Sequence, residues 1–221
     1  MRVLGFGDNI VDRFVDRGID YPGGNAVNVA VYAHRLGAQA EYLGVFGDDD
    51  LGSFLRAAIE DAGVPTIRSL VRPGASGVST LRVVDGDRTF LGWNGGGGTV
   101  SAPIDLDDGR AQYAAGFDLV HSSVYSRTES QLPCLHALGA LVSFDLSSEA
   151  EFRDPSYLER VAPFVDVVLL SCAGLDDEEA FAVLDAAVAH GAPLALGTRG
   201  TRGALVTDGT ARLTAPARLL S

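Results

Sequence analysis

Apolar residues in this chain fall into short runs, separated by stretches where they recur every third or fourth position, a pattern that predicts strands followed by helices. The run over 3–6 reads as a buried strand. Gly23-Gly24 then opens a helical stretch over 25–36 that Gly37 closes, glycine being favoured just past a helix end. The unit repeats with a strand at 42–46 and a helix over 51–62 that ends at Gly63. Asp48-Asp49-Asp50 stands where a cap and a negative first turn are wanted, which explains the triplet better than metal binding does.

Over 77–93 the period changes to two, with apolar and β-branched residues flanking Asp85-Gly86-Asp87, so a hairpin is expected there. It interrupts the alternation and is expected to project from the main sheet as a lid, formed by about 10–22 and 75–95. The run Asn94-Gly95-Gly96-Gly97-Gly98 reads as a flexible hinge rather than a phosphate cradle, because no Lys-Ser/Thr follows it. Alternation resumes with strands at 119–122, 141–145, 165–170 and 194–198 and helices at 129–138, 157–162 and 176–190. Near-continuous apolar strands between amphipathic helices predict an α/β fold, a mostly parallel sheet covered by helices on both faces.

Composition narrows the function. The chain has 221 residues, 47% hydrophobic and 21% charged, with a formal net charge of −12, which suits one domain over 1–221 and disfavours nucleic-acid and membrane-surface partners. Every basic residue is arginine, which removes Schiff-base chemistry and the P-loop lysine. Cys134 and Cys172 read as buried thiols of a reducing compartment, and no stretch suggests a signal peptide or a transmembrane span, so a cytoplasmic protein is expected. His34, His121, His136 and His190 are scattered singly and read as structural. Gly5-Phe6-Gly7 lacks the third glycine of a dinucleotide fingerprint, and no Gly-x-Ser-x-Gly elbow exists.

The helix after Gly23-Gly24 is the informative one. Asn25, Asn28, Tyr32 and Arg35 recur at three- and four-residue steps and form a polar stripe. Two glycines let a ligand approach the backbone, and two carboxamides can donate to and accept from hydroxyls, which makes a polyol site; alternatively Asn25 caps the helix and Asn28 satisfies a loop. Asp12, just beyond the first strand, stands at the edge where open α/β sheets bind ligands and can accept from two adjacent sugar hydroxyls, or it is a solvated turn carboxylate.

Gly23-Gly24-Asn25-Ala26-Val27-Asn28-Val29-Ala30, followed by Gly37 and Gly47, resembles the first signature of the ribokinase-like, or pfkB, carbohydrate kinases. The resemblance runs from Val3 to about Ala217 and includes Gly44 to Gly52, Asp145-Leu146-Ser147 and Thr198-Arg199-Gly200-Thr201-Arg202-Gly203. Gly7 to Asp12, Pro22 to Tyr32, His121 to Tyr125 and Phe144 to Ser147 are most similar to the fructoselysine 6-kinase branch. The resemblance implies phosphoryl transfer from ATP, with Mg2+, to a sugar or fructosamine hydroxyl. Asp12, Gly23, Gly24, Asn25 and Asn28 would line the sugar pocket; Thr198, Gly200 and Gly203, with Asp145 and Ser147, would lie at the nucleotide.

The hairpin would be the lid that excludes water, and a homodimer through that lid is one arrangement it allows. Trp93 would either stack on the substrate or seat the lid. The family's Asn-x-x-Glu element appears as Ser171-Cys172-Ala173-Gly174, without its glutamate, and no metal ligand is assigned. Its Gly-Ala-Gly-Asp helix start, which carries the aspartate base, would follow Pro216 and lies beyond Ser221. No catalytic residue is therefore assigned, and the chain as given is expected to bind sugar better than it turns it over. A silent sugar-binding protein and a nucleoside kinase are the alternatives.

Overall fold

The structure is a computed structural model that describes residues 1–84 and 87–218, apart from the side chain of Asp87. Asp85 and Gly86 of the expected hairpin turn, and the Ser221 end, lie outside the described residues. By contact density the chain forms two compact units, Met1–Thr128 and Glu129–Ser221.

The first unit holds two sheets. β1 (Arg2–Gly7) turns through Asp8-Asn9 into β2 (Ile10–Phe14) and β3 (Ile19–Gly23), and α1 (Asn25–Arg35) returns the chain to β4 (Gln39–Gly47). Then follow α2 (Asp50–Asp61), β5 (Leu70–Arg72), the pair β6 (Val78–Val84) and β7 (Asp87–Trp93), two short helices α3 (Gly97–Ser101) and α4 (Asp108–Ala114), and β8 (Leu119–Ser123). β8, β1, β4 and β5 lie side by side, all parallel. Their apolar runs are buried because helices cover them; α1 packs on β1, β4 and β8, and α2 on β4. The core under α1 joins Ala26, Val27 and Ala30 to Val3, Tyr42, Phe46, Leu55 and Ile59.

The second sheet, ordered β3-β2-β6-β7, pairs β2 with β6 in parallel and is otherwise antiparallel. Neither the 10–23 hairpin as such nor its parallel joint with β6 shows in the local pattern. The glycine run differs from expectation. β7 ends at Trp93 and α3 starts at Gly97, so the run is a packed turn between strand and helix rather than a loose hinge. Asn94 fixes it by donating from Nδ2 to Ser76 O (2.9 Å) and accepting at Oδ1 from Val78 N (2.8 Å). The Asp48-Asp49-Asp50 triplet is structural: Asp49 caps α2 through Gly52 N (2.8 Å) and accepts from Ser76 Oγ (2.6 Å).

In the second unit α5 (Leu132–Ala137) precedes β9 (Leu141–Asp145), α6 (Pro155–Val161) precedes β10 (Val167–Ser171), and α7 (Asp177–Ala189) precedes β11 (Leu194–Thr198). β9, β10 and β11 are parallel, while β12 (Ala204–Thr207) and β13 (Arg212–Ala215) continue the sheet antiparallel. The helix expected over 129–138 is a 3₁₀ turn followed by the shorter α5, which begins at the proline-bearing turn Leu132-Pro133. Asp176 and Glu179 form a capping box at α7, as the acidic cluster there implies. Cys172 is buried, whereas Cys134 is only half-buried, contrary to its expected burial.

Candidate functional site

The site residues of the first unit are built around the start of α1. Gly24 is its N-cap, with φ 111° and no side-chain cap, and a Cβ there would meet Asn9 Cα and Asp8 O, both at 2.7 Å. Asn25 is therefore not the cap. Asp8 supplies that function from the loop after β1, its Oδ2 accepting from Asn25 N (2.5 Å) and its Oδ1 from Ala26 N (3.2 Å). A carboxylate at a helix N-terminus satisfies orphan N–H groups and suits the helix dipole. The hydroxyls of Ser123 (2.9 Å) and Ser126 (2.8 Å) donate to the same Oδ1, so Asp8, 5% exposed, is fully engaged. Asn9 is locked beside it, donating to Tyr42 Oη (2.8 Å) and Val45 O (2.7 Å), while Tyr42 donates to Gly7 O (2.7 Å).

Asp12 lies on β2 opposite Tyr21 of β3 and Ser79 of β6. A Cβ on Gly23 would sit 2.6 Å from Asp12 Oδ2, so the bare glycine leaves the space the carboxylate occupies. Burial raises the Asp12 carboxyl above the ordinary aspartate range, and the guanidinium of Arg88 pulls it part of the way back. A partly desolvated carboxylate beside an open backbone can accept from paired hydroxyls.

Asn25 is half-buried, and its Oδ1 lies 2.7 Å from Nε2 of His121, a residue 1% exposed on β8. Asn28, one turn on, is exposed. Further along the stripe Arg35 stacks over the Tyr32 ring at 5.3 Å on the solvent side. The structure thus brings Asp12, Gly23, Gly24 and Asn25 to the junction of β2, β3 and α1, with Asn28 on the next turn. Sequence reasoning missed Asp8 and His121 as parts of this junction, although both stand inside quoted segments. Their partners are 17 and 96 residues away.

Asp145, Ser147, Thr198, Gly200 and Gly203 all belong to the second unit. Asp145 Oδ1 accepts from Ser147 N (2.5 Å), and Ser147 is left-handed (φ 58°). Thr198 ends β11 exposed, and the turn behind it bends back into β12 at Gly203, where a Cβ would strike Ala215 O. At Gly200 a Cβ would meet open space, so a phosphate could approach the backbone there. Arg199, between them, points inward to pair with Asp177. Among the described residues no group of three or more His, Cys, Asp or Glu side chains is placed to hold a metal ion. Mg2+ commonly takes only one or two carboxylates beside nucleotide phosphates and water, which one carboxylate such as Asp145 fits.

A glycine-opened helix thus lies beside a half-buried carboxylate, on parallel α/β units with a separate small β-sheet. The pattern of the pfkB family carbohydrate kinases matches residues 15–218, and the chain belongs to that family. It is a phosphotransferase by that membership. Fructosamine kinase FrlD of Bacillus subtilis (strain 168) is 36% identical over 95% of this chain and 72% of its own length. Fructoselysine 6-kinase of Escherichia coli (strain K12) is 32% identical over 92% and 75%. Among solved structures, a fructokinase with bound ATP from Xylella fastidiosa superposes with a TM-score of 0.76 at 24% identity, covering 100% of this chain and 75% of that one, a likeness of fold. No described helix is long and apolar enough to cross a membrane.

Proposed function

We propose that this protein transfers a phosphoryl group from ATP to a hydroxyl of a fructosamine, a ketose joined through its first carbon to an amine. The carrying observation is that relatives named for fructosamine and fructoselysine match more than nine tenths of the chain. Asp12 accepts from sugar hydroxyls, the bare backbone of Gly23 and Gly24 admits the sugar closely, and Asn25 and Asn28 complete its hydrogen bonds. Thr198, Gly200 and Gly203 receive the nucleotide, with Asp145 and Ser147 on the phosphate side. Bound Mg2+ supplies charge neutralisation on the phosphates. The reaction is placed in the cytoplasm, where ATP is supplied.

The sheet β3-β2-β6-β7 acts as a lid over the sugar, excluding water that would otherwise accept the phosphoryl group. Its exposed Phe90 and Trp93 are 60% and 48% accessible, and they are our candidate contact for a second copy of the chain. Light scattering of Phe90→Ser, expected to lower the mass relative to the parent, tests that pairing.

A calorimetric screen of fructoselysine, other fructosamines, fructose, ribose and nucleosides, with product detection by mass spectrometry when ATP is added, tests the substrate. Fructosamines are expected to bind tightest, and any product formed is expected to carry one added phosphoryl group. Preference for a nucleoside, or for ribose over every ketose derivative, overturns the assignment.

A further inference from the structure

The sheet β3-β2-β6-β7 presents two faces, and strand alternation divides its charged residues between them. Asp12 on β2 pairs with Tyr21 of β3 and Ser79 of β6, so these three share a face. Along β6 the residues on that face are Ser79, Leu81 and Val83, whose partners on β7 are Trp93, Phe90 and Arg88. The edge-on contact of Phe14 with Tyr21, with ring centroids 5.6 Å apart, belongs to the same side. Arg88 therefore stands on the face that carries Asp12, one strand beyond β6 and displaced along it from Ser79 to Val83, about 13 Å at the usual rise per residue. The two side chains feel each other across this span, since the guanidinium counters the burial that raises the Asp12 carboxyl.

The other arginines of the sheet are occupied or turned away. Arg13 pairs with Asp20 at 2.7 Å, and Arg17 lies over the Phe14 ring at 5.8 Å. Arg82, between Leu81 and Val83, faces the opposite side. Arg88 is exposed, and its side chain makes no ion pair or hydrogen bond with any other described residue. A guanidinium is charged at every physiological pH, and its planar fork matches a carboxylate with two parallel hydrogen bonds.

We propose that Arg88 is a specificity-determining residue that binds the carboxylate of an amino acid joined to the ketose, so that the substrates are fructosamines of amino acids rather than of amines without an acid group. The sugar is held at the Asp12 end of the face and the amino acid at the Arg88 end, a span longer than a hexose and suited to a hexose extended by an amino acid. Leu81, 8% exposed, lies between the two ends and offers an apolar surface to the aliphatic part. The inference rests on the fructosamine reading and on the placing of the sugar at Asp12 made above, and it names the part of the substrate that the sheet distinguishes.

Calorimetry on matched ligands tests it: the tightest-binding amino-acid fructosamine of the screen, its carboxamide, and free fructose. The parent protein is expected to bind the acid about 10-fold more tightly than the amide, the value of one charge-assisted pair. In Arg88→Met that ratio should fall below about 3-fold while affinity for fructose stays at the parent value. Arg82→Met, which removes the same charge from the opposite face, should keep the parent ratio. Equal binding of acid and amide by the parent overturns this inference alone, as does a ratio retained in Arg88→Met or lost equally in Arg82→Met. Loss of fructose binding in both Arg88→Met and Arg88→Gln would assign Arg88 to the folding of the sheet and overturn it too. A parent protein that binds fructose or ribose but no fructosamine, acid or amide, refutes the substrate reading and this inference with it.

Discussion

At the scale of single residues, Asp12 shows how a binding carboxylate is prepared. Burial makes its ionised form costly, and the Arg88 guanidinium recovers part of that cost. Only the carboxylate accepts from two hydroxyls, so affinity should fall as pH drops through its raised pKa, starting above the range where an exposed aspartate protonates. Asp12→Ala should weaken sugar binding by about 2 to 4 kcal/mol at neutral pH, the cost of leaving desolvated hydroxyls unpaired. The variant should also lose the acid-side decline, and calorimetry at several pH values reads both. Gly23→Ala probes the same atoms from the other side, because its Cβ would press on Asp12 Oδ2 at 2.6 Å. It should weaken sugar binding while moving the denaturant midpoint little, the obstructing atom being the movable end of a side chain. Both residues were legible in the sequence, since a glycine pair and a carboxylate at a strand end are local signals. Asp8 and His121 were not, because what defines each is a partner brought close only by folding.

At the scale of elements, two helices are capped in contrasting ways. α7 carries its own capping box, with Asp176 Oδ1 accepting from Glu179 N (2.8 Å) and Glu179 Oε2 from Asp176 N (3.0 Å), and the sequence shows it plainly. α1 has glycine at its N-cap and no acidic residue in its first turn, so it borrows Asp8 from another segment. Gly24 is needed there because the backbone of Asp8-Asn9 lies where a side chain would be. Asp8→Ala should cost about 2 to 4 kcal/mol of stability, combining a lost cap with buried donors and hydroxyls left without their acceptor. Chemical denaturation reads that loss, and Asp8→Asn should restore part of it. Loss of the cap should also weaken sugar binding, since Asn25 is the first residue of the helix it fixes.

Across the whole molecule, His121 links the fold to pH. Its pKa is about 4 in the folded state against 6.5 for an unperturbed histidine, so between those values the unfolded chain takes up a proton that the folded protein refuses. Stability therefore rises with pH through this window and is lost as pH falls from about 6.5 toward 4, by about 3 kcal/mol at the extreme. Asp12 contributes with the opposite sign, because a raised carboxyl pKa favours the folded state as its proton is taken up. Thermal melts of the parent protein and His121→Gln across that window should show a shallower decline in the variant. What the sequence alone determined is the set of local features: strand and helix periods, the Gly23-Gly24 opening, the acidic caps, the period-two hairpin and the sugar-kinase signature. Each is written in residues a few positions apart, and the physics that reads them is short-ranged. Only the tertiary structure decided that β2 pairs with β6 in parallel, that the glycine run is a packed turn, that Asp8 caps α1, and that His121 meets Asn25. Those outcomes depend on which distant segments share a buried volume, where an unpaired polar group is too costly to leave, and no local pattern names the partner.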